Sequence, residues 1–317
     1  MQSNIAKTNQ IFLITILVSL CASFLPISRW FPDYAGKILF SEVVLAAPGA
    51  VYLLAGHRSY AQAVRLKRIR PSTIVWLVLF TVCISPLMGM VNAISMLFVE
   101  NSTTAAMSEV VTGHSYVFSM VLIAFIPCVF EESVYRGIFY NEYRKVSPVR
   151  GMLLSALLFG LMHGNLNQFS YAFLMGIIFA LVIEATDSIL ASMIMHFLIN
   201  GFSTTVMMLL SKWDENAMQE ALGAVENQNT LGSVIRSSLP MAVIGTIFAV
   251  VVYRLIAANE GRLQDVDAMF GIGKNKNEQT RELQAPASAP KTRLFTVPLA
   301  VGVIMCTALM ILNEIMP

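Results

Sequence analysis

The run from Phe130 through Glu131, Glu132, Ser133, Val134, Tyr135 and Arg136 to Gly137 sets two adjacent carboxylates and a guanidinium at the end of an apolar stretch. Helical spacing puts Glu132 and Arg136 one turn apart, close enough for an ion pair, while Glu131 projects about 100° away and is free for another task. Two more polar intrusions follow in apolar segments: Phe159 and His163 one turn apart, then His196 and Asn200 one turn apart. Glutamate and histidine are the side chains of general acid–base chemistry near neutral pH. Two histidines and one glutamate, here His163, His196 and Glu131, are also the ligand set of some catalytic zinc sites. The same residue types form proton relays in transporters. No HExxH pair is present.

The elements that carry these residues are built for lipid. Of 317 residues, 56% are hydrophobic and 13% charged, against about 25% charged in soluble proteins, and the mean hydropathy is +0.68. Apolar blocks at 11–27, 38–54, 73–98, 115–140, 149–163, 169–183, 189–210, 239–258 and 294–315 approach the roughly 20 residues that cross a hydrocarbon core. The expectation is an all-α, polytopic transmembrane bundle of eight or nine helices. N-terminal helices occupy 1–114, a core 115–210, an external loop and a further helix 211–258, a flexible polar linker 259–293, and a last helix 294–317. Blocks 149–163 and 169–183 are short, and the polar run 164–168 between them is expected to turn inside the bundle.

Arg58, Arg65, Lys67, Arg68 and Arg70 follow the second block, and Arg144, Lys145 and Arg150 follow the fourth. By the positive-inside rule both loops, and hence the N-terminus, are cytoplasmic. The block at 11–27 lacks a clean cleavage site and reads as an uncleaved first helix. A net charge of +2 offers no basic surface for nucleic acid, and the four scattered cysteines read as packing residues. Glu42 reads as a snorkelling or helix-contact residue. At 1.5 Å per residue, Glu131 lies about 14 Å from Tyr140, His163 about 18 Å from Gly151, and His196 about 14 Å from Asp187. Those depths allow the three side chains to meet.

The three pairs stand in the order EExxxR (Glu131 to Arg136), FxxxH (Phe159 to His163) and HxxxN (His196 to Asn200). In these motifs, over about 121–203, the chain resembles the CAAX prenyl protease and bacteriocin-processing (CPBP or Abi) family of intramembrane proteases. It departs in having Asp187 where a glycine is usual and Ser192 where a proline is. The resemblance implies an endopeptidase with Glu131 as general base, His163 beside it, and His196 and Asn200 stabilising the oxyanion. Glu132, Arg136 and Phe159 are then supports. The family has been read both as metalloprotease and as glutamate protease, so zinc on Glu131, His163 and His196 stays open. Implied partners are the bilayer and a membrane-associated peptide or protein, whether a prenylated CAAX tail or a bacteriocin-like peptide, in a prokaryotic plasma membrane. The cavity is expected to open to the cytoplasm or laterally to lipid. The alternatives are a proton-coupled transporter, which would use Glu42, Glu184 and Asp187 as well, and a non-proteolytic immunity factor or scaffold.

Overall fold

The computed structural model describes residues 2–57, 59–99, 102–213, 230–272 and 293–315. Among them the regular elements are all helical: α1 (Gln2–Ser23), α2 (Tyr34–Ala55), α3 (Pro71–Ser95), α4 (Ser102–Gly113), α5 (Tyr116–Tyr143), α6 (Pro148–Met162), α7 (Leu166–Thr186), α8 (Ile189–Trp213), α9 (Leu231–Asn259), α10 (Leu263–Met269) and α11 (Val297–Ile315). Eight are long and apolar enough to cross a membrane, and α6, with 15 residues, is shorter. The chain is an all-α polytopic membrane bundle.

Local chemistry sets the helix ends. Asp33 caps α2 by accepting from Gly36 N at 3.0 Å, and Asn165 caps α7 by accepting from Gln168 N at 2.7 Å. Both supply the side-chain oxygen that an exposed first turn lacks. Pro71 and Pro148 occupy first-turn positions, where a missing N–H costs nothing. Asp187 ends α7 in the left-handed region, φ 56°, which few non-glycine residues adopt.

Several boundaries differ from the sequence reading. The block at 169–183 is the inner part of a full 21-residue helix, because its polar first turn, Leu166 to Gln168, is helical once Asn165 caps it. Between the apolar blocks at 73–98 and 115–140, residues Ser102–Gly113 form a further helix, α4. Residues 259–293 do not begin as a free linker. Among them α10 is docked by Arg254 to Asp267 (2.5 and 3.1 Å) and by the burial of Val266. The low-complexity stretch 285–290, like most of the expected external segment at 211–238, lies outside the described residues.

One end of the bundle is clamped shut. Arg144 forks onto Glu184 with two 2.5 Å bonds, Tyr140 donates to the same carboxylate at 2.7 Å, and Arg262 Nε donates to the Glu184 carbonyl at 2.8 Å. Arg65 and Lys67 pair with Asp187, and Ser188 Oγ donates to the Lys67 carbonyl at 2.6 Å. Burial, reinforced by nearby Arg144, pushes the Arg65 guanidinium down to about 10, so it remains charged at neutral pH to hold Asp187. The basic loops are thereby strapped to the α7–α8 junction, fixing the start of α8 and the positions of His196 and Asn200 along it.

Closely approaching backbones set α6 against α7. A Cβ on Gly176 would lie 2.7 Å from both Cα and Cβ of Ala156, so only glycine fits. Gly176→Leu is expected to lower stability by about 1–3 kcal/mol through overpacking, read as a reduced thermal midpoint in detergent. Gly232→Ala, with no neighbour within 4 Å, should leave that midpoint unchanged.

Candidate active site

The site assembles from four helices, and its centre is an ion pair. Glu132 and Arg136, on one face of α5, lie 3.2 Å apart with both side chains fully buried. The guanidinium stacks 4.1 Å above the ring centroid of Phe159 on α6 and 5.1 Å from that of Phe179 on α7. Gly176, one turn before Phe179, leaves the space: a Cβ there would sit 3.4 Å from Arg136 Nη2. Cation–π contact is strongest when desolvated, so the two rings share with Glu132 the stabilisation of a charge that has no access to water.

His196 is held on both ring nitrogens. Nδ1 lies 3.2 Å from Glu132 Oε1, an acceptor, so Nδ1 carries the proton. Nε2 then accepts from Asn200 Nδ2 at 3.2 Å. The ring stacks on Phe179 at 5.1 Å. Nε2 also faces Glu131 Oε2 at 3.7 Å.

Asn200 makes a second bond, from Nδ2 to the carbonyl of Ile123 at 3.1 Å. That carbonyl would normally bond the N–H four residues on, but position 127 is proline, which has none. Around it α5 widens to i→i+5 turns at Met120–Phe125 and again at Ser133–Tyr140, a distortion frequent at functional sites. The carboxylate pair stands between the two widened stretches.

His163 sits just past the last residue of α6. Its Nδ1 donates to the Phe159 carbonyl at 2.8 Å, leaving Nε2 with a free lone pair, and its ring meets Phe159 edge-on at 4.9 Å. The turn behind it is pinned by α11: Asn313 donates to the Gly164 carbonyl at 2.9 Å and Glu314 accepts from Leu166 N at 3.0 Å.

Glu131, Phe159, His163, His196 and Asn200 line one cavity of about 430 Å³. The structure therefore brings together five of the side chains singled out in the sequence, Phe159 among them, and buries Glu132 and Arg136 behind. The cavity extends past Met88 and Asn92 of α3, Met107 of α4, and Ser203 and Met207 of α8. These lie toward the helix ends opposite the basic loops, so access is not from the basic end, which the Glu184 and Asp187 clamp closes.

The zinc set finds no matching geometry. Among the described residues no three His, Cys, Asp or Glu side chains are arranged to hold a metal ion. His196 has both ring nitrogens engaged in protein hydrogen bonds.

Pro127, Gly176 and Phe179 were not singled out in the sequence. Proline ahead of the carboxylates was a usable signal, because it strands the Ile123 carbonyl. Gly176 and Phe179 carry none, being ordinary in an apolar helix.

Residues 113–202 match the model of a protein family described as Rce1-like, type II CAAX prenyl endopeptidase. No curated protein and no solved structure matches the chain.

Removing one partner of a fully buried pair strands the other charge. Arg136→Met should cost about 3–5 kcal/mol of unfolding free energy, measured in detergent. The double variant Glu132→Gln/Arg136→Met, which leaves no buried charge, should recover more than half of that loss.

Proposed function

We propose that this chain, whose segment 113–202 matches the Rce1-like CAAX prenyl endopeptidase family model, is an intramembrane endopeptidase that uses Glu131 to activate water. The observation that carries the reading is the division of labour between adjacent carboxylates. Glu132 is spent on Arg136 and His196, while Glu131, with no guanidinium of its own, faces the cavity beside His163, His196 and Asn200.

The roles follow from which atoms can donate. A water between Glu131 and His163 gives one hydrogen to the carboxylate and the other toward His163 Nε2, a free acceptor. Its lone pair is then aimed into the cavity at a substrate carbonyl. Glu131 removes the proton as the C–O bond forms, and returns it to the leaving amine when the C–N bond breaks. The oxyanion needs donors already in place. Asn200 supplies one by turning its N–H from His196 Nε2 to the substrate oxygen. His196, oriented by Glu132, supplies a second from Nε2 after that atom takes up a proton from solvent water in the cavity, and gives the proton back to solvent as the tetrahedral intermediate collapses.

The substrate is a peptide or protein segment embedded at the membrane; a prenylated CAAX tail and a bacteriocin-like peptide both fit the chemistry. We place the protein in a prokaryotic plasma membrane with its N-terminus and basic loops in the cytoplasm. Glu184 and Asp187, two of the acids a transporter would use, are engaged by Arg144, Arg65 and Lys67 and so are closed to proton traffic.

In proteoliposomes, the wild-type protein should cleave prenylated or unprenylated membrane-anchored peptides, and Glu131→Gln should abolish cleavage without lowering the thermal midpoint. Asn200→Ala should lower kcat by about 10²–10³-fold, the usual effect of losing one oxyanion donor. Turnover should survive chelation, with no stoichiometric zinc in the purified protein. Stoichiometric zinc whose removal reversibly abolishes turnover would replace this mechanism with a metal-assisted one. Full turnover by Glu131→Gln would remove the general base.

A further inference from the structure

A second cavity, of about 520 Å³, meets the first at Glu131, His163 and Gln168. It runs between α1, the one-turn helix Ile27–Trp30 and α2, and its wall includes Ser19, Ser23, Lys37, Ser41 and Glu42. Ser23 and Ser41 donate to carbonyls of their own helices at 2.7 and 2.8 Å, which leaves their lone pairs facing outward for water. A roomy cavity with several polar partners is the kind that holds water, whereas an apolar one stays dry. His196 and Asn200 line the first cavity but not the second. A carbonyl held by them lies in the first, and Glu131 and His163 stand between it and the second.

Glu42 is the least expected member of this wall. Ala35, Glu42 and Gly49 recur at seven-residue intervals on the buried face of α2, so Glu42 points into the bundle and does not snorkel. It is only 7% exposed, and its Oε2 has no hydrogen-bond partner among the described residues. Its carboxyl lines the second cavity together with that of Glu131. Lys37, on its own helix, and His163 and Tyr135, from the facing elements, line the same cavity. Two carboxyl groups on one cavity wall hydrogen-bond only when one proton lies between them, so a protonated Glu42 can donate to an ionised Glu131.

From this juxtaposition we propose that the second cavity delivers the attacking water to Glu131, and that Glu42 is a positioning residue that holds Glu131 toward it. The proposal rests on the peptidase reading, and it places substrate and water on opposite sides of the general base. Water then arrives without crossing the occupied substrate cavity.

Two measurements test it. Glu42→Leu should lower kcat by about tenfold or more with KM nearly unchanged, while Glu42→Gln, whose amide still donates to Glu131, should keep most of the wild-type kcat. Both variants should keep the wild-type thermal midpoint. In a background with Cys21 and Cys83 replaced by alanine, Ser19→Cys should react with a charged, membrane-impermeant methanethiosulfonate about tenfold faster than Val43→Cys, which points outward on α2. Wild-type kcat in folded Glu42→Leu, equal loss in the Leu and Gln variants, or equal labelling of Ser19→Cys and Val43→Cys overturns the proposal. Labelling needs no catalysis, so it decides the water route even where absence of cleavage by the wild type has overturned the peptidase reading.

Discussion

A charge with no water around it constrains everything near it, and Arg136 is such a charge. It is held within the bundle by one carboxylate and two aromatic faces. Burying an ion pair gains little net stability, because desolvation offsets the attraction. What the pair supplies is position. Glu132 can satisfy Arg136 only from one face of α5, and from that face it also receives the Nδ1 proton of His196. The rotation of α5 therefore sets the orientation of a ring on α8. The same rotation turns Glu131 away from the guanidinium and into the cavity.

The rest of the architecture keeps these elements in register. The glycine-mediated approach of α6 to α7 brings Phe159 and Phe179 against one guanidinium. The polar clamp at the basic end fixes where α8 begins, and so sets the depth of His196 and Asn200. At the other side of the site, α6 is too short to cross the bilayer, which leaves His163 at a helix end among packed helices. The stranded carbonyl of Ile123, a consequence of Pro127, gives Asn200 an anchor one turn beyond His196. Each device is a backbone constraint that fixes a polar side chain without solvent.

The helical, membrane-spanning character of the chain was legible because apolar length and charge placement are one-dimensional properties. The pairing of Glu132 with Arg136 was equally legible, since it follows from i,i+4 spacing within one helix. That Glu131, His163 and His196 could meet followed from a count of rise per residue, which says nothing of how the helices pack. Other features depended on contacts between distant segments, which spacing does not encode. Phe179 and Gly176 are ordinary in a helix until Arg136 is placed beside them. Residues 166–168 read as loop because they are polar, yet an Asn165 cap makes them helix. Glu42 read as a residue near a helix end, and its burial emerges only when α2 packs against α5. Of the two openings expected, to the cytoplasm or laterally to lipid, the sequence could not choose, because the clamp at the basic end joins residues from four separate segments.

The central claim is that the buried pair fixes the imidazole of His196, with Nδ1 donating to Glu132 and Nε2 left as the acceptor. The most direct measurement is nitrogen NMR of histidine-labelled protein in bilayers, with the His196 signals assigned by their loss in His196→Ala. The account predicts a protonated Nδ1 and an unprotonated Nε2 in the resting protein, and loss of that single tautomer in Glu132→Gln. A resting His196 with its proton on Nε2, or a wild-type tautomer that persists in Glu132→Gln, would contradict it.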